Sequence, residues 1–195
     1  MVDRHSRSAV YALLGRLFVR EVDRETLAFL NESPVREQLI QFGFELPAAE
    51  GADSFLEEMG FEYCRIFLGP QGHIPPMQSV CESGLLRGPA ADSMESYLEF
   101  VTIDRMPDTL VDHFGFQLEV MGTILGSETA DEDLAVLAEI SRRFFRDHLH
   151  WSRAMLERAA VIASVPFYRS LIRMAREFLT DEAAIMGVAT SSGKP

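Results

Sequence analysis

The sequence predicts an all-α protein, a single globular bundle of about eight to ten helices. Three observations carry this. Apolar residues recur at helical spacing through nearly every long segment. No run alternates with period two, and no Asn-Gly or Asp-Gly pair marks a tight hairpin. Phenylalanine (14) and methionine (9) are plentiful, and both suit a helical core of adaptable contacts.

Taken in order, Val10, Leu13, Leu14, Leu17 and Phe18 make the first apolar stripe. Leu27 and Leu30 follow, then Val35, Leu39, Ile40 and Phe42, with Ser33-Pro34 as a cap and first-turn proline. Phe55, Met59, Glu62, Tyr63 and Ile66 share one helical face. Asp92-Ser93-Met94-Glu95 reads as a capping-box start for a helix with Met94, Tyr97, Leu98 and Val101. Leu110, Phe114, Leu118, Met121 and Leu125 predict a strong helix over 107–126. Leu134, Leu137, Phe144 and Phe145 lie on another, which runs with a bend towards Leu149 and Trp151. Pro166 opens a last helix with Phe167, Leu171, Met174 and Phe178. One domain over 1–189 is expected, and a disordered tail at 190–195.

Between the fourth and fifth of these helices lies a Gly/Pro-rich corner at about 68–92. Tyr63-Cys64-Arg65-Ile66-Phe67-Leu68-Gly69-Pro70 breaks from a helix, and Ile74-Pro75-Pro76-Met77-Gln78-Ser79-Val80 re-forms one. Pro and Gly are costly inside a helix, so this is a true bend. Its apolar residues predict a ledge suited to holding a peptide, with Tyr63, Ile66, Phe67, Pro76 and Met77 as the lining. Inward packing of Ile66 and Phe67 is an equally physical alternative.

Eighteen basic against thirty acidic residues give a net charge of −12. That balance disfavours nucleic acid, whose binding needs Lys and Arg against phosphate, and favours cationic ligands or basic peptides. No apolar run is long enough for a transmembrane helix, and the N-terminal region lacks the pattern of a secretory signal, so a cytoplasmic protein without stable membrane insertion is expected. Cys64 and Cys81 form no CxxC and are expected as reduced thiols.

Phosphate loops, dinucleotide fingerprints, HExxH, GxSxG and EF-hand patterns are missing. No catalytic residue, cofactor or metal site is expected. His148 and His150 fall on different helix faces and read as surface or capping residues. Asp112 and Glu119, seven residues apart on one helix, differ by about 20° in direction. Such a pair can receive two guanidiniums from an arginine-bearing peptide, with His113 orienting Asp112 or bonding the peptide backbone. A solvated acidic face is the plainer alternative. Asp112 and His113 also suit a small metal-dependent hydrolase given a distant third ligand. A helical interaction module without a client-release role is the third reading.

The motif Tyr63-x-x-Ile66-Phe67-x-Gly69-Pro70, Pro75-Pro76-x-x-Ser79-Val80, Gly84-x-x-x-Gly88 and Tyr97, followed by Asp112-His113-x-x-x-x-Leu118-Glu119-x-Met121, resembles the TorD/DmsD-like redox-enzyme maturation chaperones. Phe145-x-x-His148-Leu149 with Trp151 is a weaker third echo. Met77-Gln78 stands where that family has an aromatic followed by Glu, Cys81 where a tyrosine is usual, and the proline before Asp112 is displaced. The resemblance implies a cytoplasmic, non-enzymatic chaperone. Its partner would be a molybdoenzyme catalytic subunit or its twin-arginine signal peptide, held back until the molybdenum cofactor is loaded. A monomer or an element-exchanged dimer is compatible with such a fold.

Overall fold

The computed structural model describes residues 3–48, 51–103, 109–128 and 130–188. Among them it contains ten α-helices and no strand beyond one isolated antiparallel bridge, Met77 to His113. The helices are α1 (Arg4–Val19), α2 (Arg24–Leu30), α3 (Val35–Gln41), α4 (Ala52–Tyr63), α5 (Gln78–Ser83), α6 (Pro89–Leu98), α7 (Phe114–Gly126), α8 (Leu134–Phe144), α9 (Ser152–Ile162) and α10 (Pro166–Ile185). Wider π-helical turns extend α4 over Cys64–Leu68 and α8 over Phe145–Leu149. The second of these is the bend expected before Trp151.

α7 is the central rod. Phe114, Phe116, Leu118, Val120, Met121, Ile124 and Leu125 are all buried, so it is apolar on nearly every side, as a helix enclosed by others must be. α1 lies against it at backbone distance. A Cβ on Gly115 would fall 2.5 Å from the Val19 nitrogen, so only glycine allows this approach. Around that contact Phe18 presents an edge to Phe114 at 5.0 Å and to Phe67 at 6.1 Å. Burial of such rings dominates the apolar contribution to stability. α10 closes the core with Phe167, Tyr168, Leu171, Ile172 and Ala175, and Pro166 at its first position starts it where the sequence indicates.

Local signals moved three helix starts. α7 begins at Phe114 rather than near 107, because His113 is extended and its Nδ1 accepts the Gly115 N–H at 3.1 Å as an N-cap. Asp112 therefore lies outside the helix, and the shared-face relation with Glu119 lapses. α6 begins at Pro89 after Gly88, a turn before the capping box at Asp92, since proline pre-sets the first helical turn. Pro34 immediately precedes α3, but Ser33 Oγ donates to Glu37 Oε1 at 2.7 Å instead of capping the backbone. Ile40 and Phe42, expected on a core stripe, are about half exposed at 49% and 50%. The tail at 190–195 lies outside the described residues.

Candidate functional site

The corner between α4 and α6 is pinned rather than loose. The Ile74 N–H donates to the Ile66 carbonyl at 2.8 Å, which closes the loop onto the π-turn. The Gln78 N–H donates to the Asp112 carbonyl at 3.0 Å, and the Phe114 N–H to the Pro76 carbonyl at 2.7 Å. Asp112 Oδ2 accepts the Ser79 N–H at 2.8 Å, so a carboxylate from the α7 approach caps the first turn of α5. Asp112 is buried, and its Oδ1 has no hydrogen-bond partner among the described residues.

Behind the corner lies a buried polar network. Gln78 Oε1 accepts from Gln117 Nε2 at 2.7 Å and lies 3.1 Å from His148 Nδ1, while Gln78 Nε2 donates to the Asp147 carbonyl at 2.8 Å. His148 Nε2 is 3.0 Å from Ser93 Oγ, and Trp151 Nε1 donates to Gln117 Oε1 at 2.9 Å. One cluster thus ties α5, α6, α7, the second π-turn and the start of α9 together. Its buried amides are paired with one another, which is what makes burying them tolerable. His148 is therefore a core residue, correcting the surface or capping assignment. The π-turn rotates it inward onto Tyr97 and Phe144. Burial holds its pKa down to about 4 against the charges of Asp147 and Asp112, and does the same to His113 against that of Asp112. Both rings are neutral near pH 7.

The expected lining is redistributed. Tyr63, Ile66, Phe67 and Pro76 are buried. Tyr63 donates to the Phe18 carbonyl at 3.1 Å, and Ile66 and Phe67 belong to the main core. They hold the ledge from beneath, the inward alternative for Ile66 and Phe67. Met77 and His113 are partly exposed. The apolar side chains that the corner does present are Leu68, Leu85 and Leu86, at 60%, 53% and 65% exposure. Leu85-Leu86, just beyond a left-handed Gly84 that ends α5, could have been found from a leucine pair inside a glycine-flanked turn. Gln78, Gln117 and His148 gave no such signal, because buried amide pairing depends on tertiary neighbours.

Glu119 is not beside Asp112. It lies on the α1 side of α7, with its Cγ against Gly15, in a groove of about 720 Å3 that also includes Ala12, Arg16, Gly122 and Gly126. Burial raises its pKa, while Arg16 and Arg20 act to lower it. Its carboxylate makes no ion pair or hydrogen bond among the described residues, as Arg16 pairs with Glu25 and Arg20 with Asp23. On the far side of α4, Glu62 accepts the Ser164 N–H at 2.6 Å, the Val165 N–H at 3.1 Å and two bonds from Arg65. Burial alone would raise its pKa, but these donors bring it down to about 2.

Among the described residues no group of three or more His, Cys, Asp and Glu side chains is placed to hold a metal ion, and no helix is long and apolar enough to cross a membrane. The arrangement offers buried polar fixation under an apolar, partly exposed corner. A sequence model of the nitrate reductase delta subunit matches residues 30–157, from the end of α2 into α9. The chain belongs to the nitrate reductase delta subunit family. This family lies within the TorD/DmsD/NarJ superfamily that the sequence resembles, and it is a family of molybdoenzyme maturation chaperones. The matched span contains the corner, the Asp112 cap and the whole Gln78–Gln117–His148 network. No curated protein and no solved structure matches the chain.

Proposed function

We propose that this member of the nitrate reductase delta subunit family is a cytoplasmic, non-enzymatic chaperone of one domain. It binds a twin-arginine signal peptide, or another segment, of a molybdenum-cofactor oxidoreductase and assists cofactor loading before export or assembly. The carrying observation is the corner: partly exposed Met77 and His113, bridged to each other, with Leu68, Leu85 and Leu86 presented to solvent on a clasped support. An apolar peptide segment gains by covering such side chains. Tyr63, Ile66, Phe67, Pro76 and Asp112 serve from beneath by holding the corner in place. Glu119, a half-buried carboxylate without an ion pair among the described residues, receives an arginine of the client.

The test is co-purification of the full chain from its native cytoplasm, followed by titration with the client's leader peptide. A molybdoenzyme catalytic subunit should co-purify. Leu86→Asp and Glu119→Gln should each weaken the peptide, and Glu119→Gln should matter less once the peptide's arginines are replaced by glutamine. Unchanged affinity in both variants would rule the reading out.

A further inference from the structure

We propose that the outer face of α4 is a second docking surface, made for a cationic amphipathic helix of a partner protein. It is a different face from the corner, and it does not depend on which client the corner holds. A groove of about 680 Å3 runs along this face, with Pro47, Phe55, Phe61 and Val165 as its apolar lining and Glu57 and Glu58 as its acidic one. Phe61 stands 71% exposed. Phe55, in the same lining, is half-buried and fixed, its ring edge-on to the buried Phe167 at 5.7 Å. A fixed aromatic floor loses little side-chain entropy when a partner covers it.

Charge selects the occupant. Glu57 and Glu58 are exposed and make no ion pair or hydrogen bond among the described residues. The one basic residue in the lining, Arg65, is already committed. Its Nη2 donates to Glu62 Oε1 at 2.7 Å, to the Ile162 carbonyl at 2.7 Å and to Ser164 Oγ at 2.9 Å, while Nε donates to Glu62 Oε2 at 2.8 Å. Outside the lining, at Gly60, a Glu21 oxygen lies 3.0 Å from where a Cβ would stand. The groove therefore offers apolar surface beside uncompensated negative charge. A second copy of this chain, at −12, would meet like charge, as would nucleic acid or an anionic lipid surface. A helix with leucines on one face and lysines flanking them matches both features at once.

The test uses the isotope-labelled full chain and two synthetic helices, an amphipathic Leu/Lys probe and its Leu/Glu counterpart. The Leu/Lys probe should shift the backbone amides of residues 54–61 and of Val165. Phe61→Asp and the pair Glu57→Lys with Glu58→Lys should each weaken it by about tenfold or more. All three positions are exposed, and an unchanged amide spectrum elsewhere verifies the fold. A control reversal at Glu177 and Asp181 on α10 should change affinity by less than about twofold. Shifts scattered over the whole acidic surface, unchanged affinity in Phe61→Asp, or sedimentation as a dimer masking these residues would overturn the proposal. Shifts confined to Met77, Leu85, Leu86 and His113 would overturn it too while supporting the corner as a binding site.

Discussion

Gly15 and Gly115 meet face to face where α1 crosses α7: a Cβ on either residue would lie 2.9 Å from the other's carbonyl oxygen. The second atom in each clash is also close, Glu119 Cγ at 2.5 Å for Gly15 and the Val19 nitrogen at 2.5 Å for Gly115. For Gly115 both obstacles are backbone, which cannot rotate away. Gly115→Ala should therefore separate the two helices and cost about 3 kcal/mol, the upper end of ordinary overpacking. Gly72→Ala is the contrast, since nothing lies within 4 Å of its Cβ position and only its φ of +72° is strained. That change should cost about 1 kcal/mol. Urea midpoints of the two variants, at unchanged m-value, check the difference.

The buried amide network has a built-in reporter. Trp151 is the chain's single tryptophan, and its indole donates to Gln117 Oε1. Gln117→Leu removes a donor to Gln78 and an acceptor for Trp151, leaving Gln78 Oε1 with His148 Nδ1 and the indole with the His148 carbonyl, 2.9 Å away, as their remaining partners. The expected cost is about 1–2 kcal/mol, the net value of two lost hydrogen bonds, because each former partner keeps a second one. The emission maximum of Trp151 should move at native conditions, before any unfolding. A variant with unchanged emission and stability would mean that the network does not hold the corner.

Acid should act in two steps. His113 and His148 have folded pKa values of about 4 against an ordinary 6.5, so the unfolded chain binds more protons than the folded one between those values. Stability then falls as pH drops from about 6.5 to about 4, by on the order of 3 kcal/mol per histidine. Glu62, depressed from 4.5 to about 2, contributes stability that is complete above about 4.5 and lost as pH falls towards 2. In denaturant titrations, His148→Gln should flatten the upper step by about half, and Glu62→Gln should affect only the lower one. A single transition below pH 4 in the wild-type chain would contradict the first step.

Periodicity made the bundle legible, because core rods need an apolar stripe whatever they pack against. The Leu14–Leu17–Phe18 face, the Pro166 start and the bend before Trp151 all follow from local chemistry. The corner was visible as a bend for the same reason, since Gly and Pro act on their own backbone. Which way its side chains point was not visible. Ile66 and Phe67 turn inward because the π-turn is fixed against α1 and the Ile74 N–H, contacts distant in sequence. Asp112 and Glu119 looked like one acidic face only while both were placed in a single helix. One N-cap at His113 sends Asp112 to α5 and leaves Glu119 facing α1.

Asp112 separates support from recognition most cleanly. Its Oδ2 caps α5 through Ser79, while Oδ1 is buried without a partner among the described residues, so the residue does structural work with one oxygen and keeps the other spare. Asp112→Ala should lose the cap and cost about 1–2 kcal/mol, and the clasp at Gln78 should loosen with it. Asp112→Asn keeps an acceptor for the Ser79 N–H and turns an amide donor towards the spare position, so its stability should fall by less than about 1 kcal/mol. If Asp112 only supports the corner, Asp112→Asn should bind the leader peptide as the wild type does, and Asp112→Ala should bind it more weakly in proportion to its loosened α5. If the spare oxygen itself receives a client arginine, Asp112→Asn should lose affinity although its fold is intact, and the loss should vanish with an arginine-free peptide. Paired measurements of unfolding midpoint and peptide affinity on these two variants decide between the roles. The burial of Asp112, 1% exposed, makes the supporting role the expected outcome.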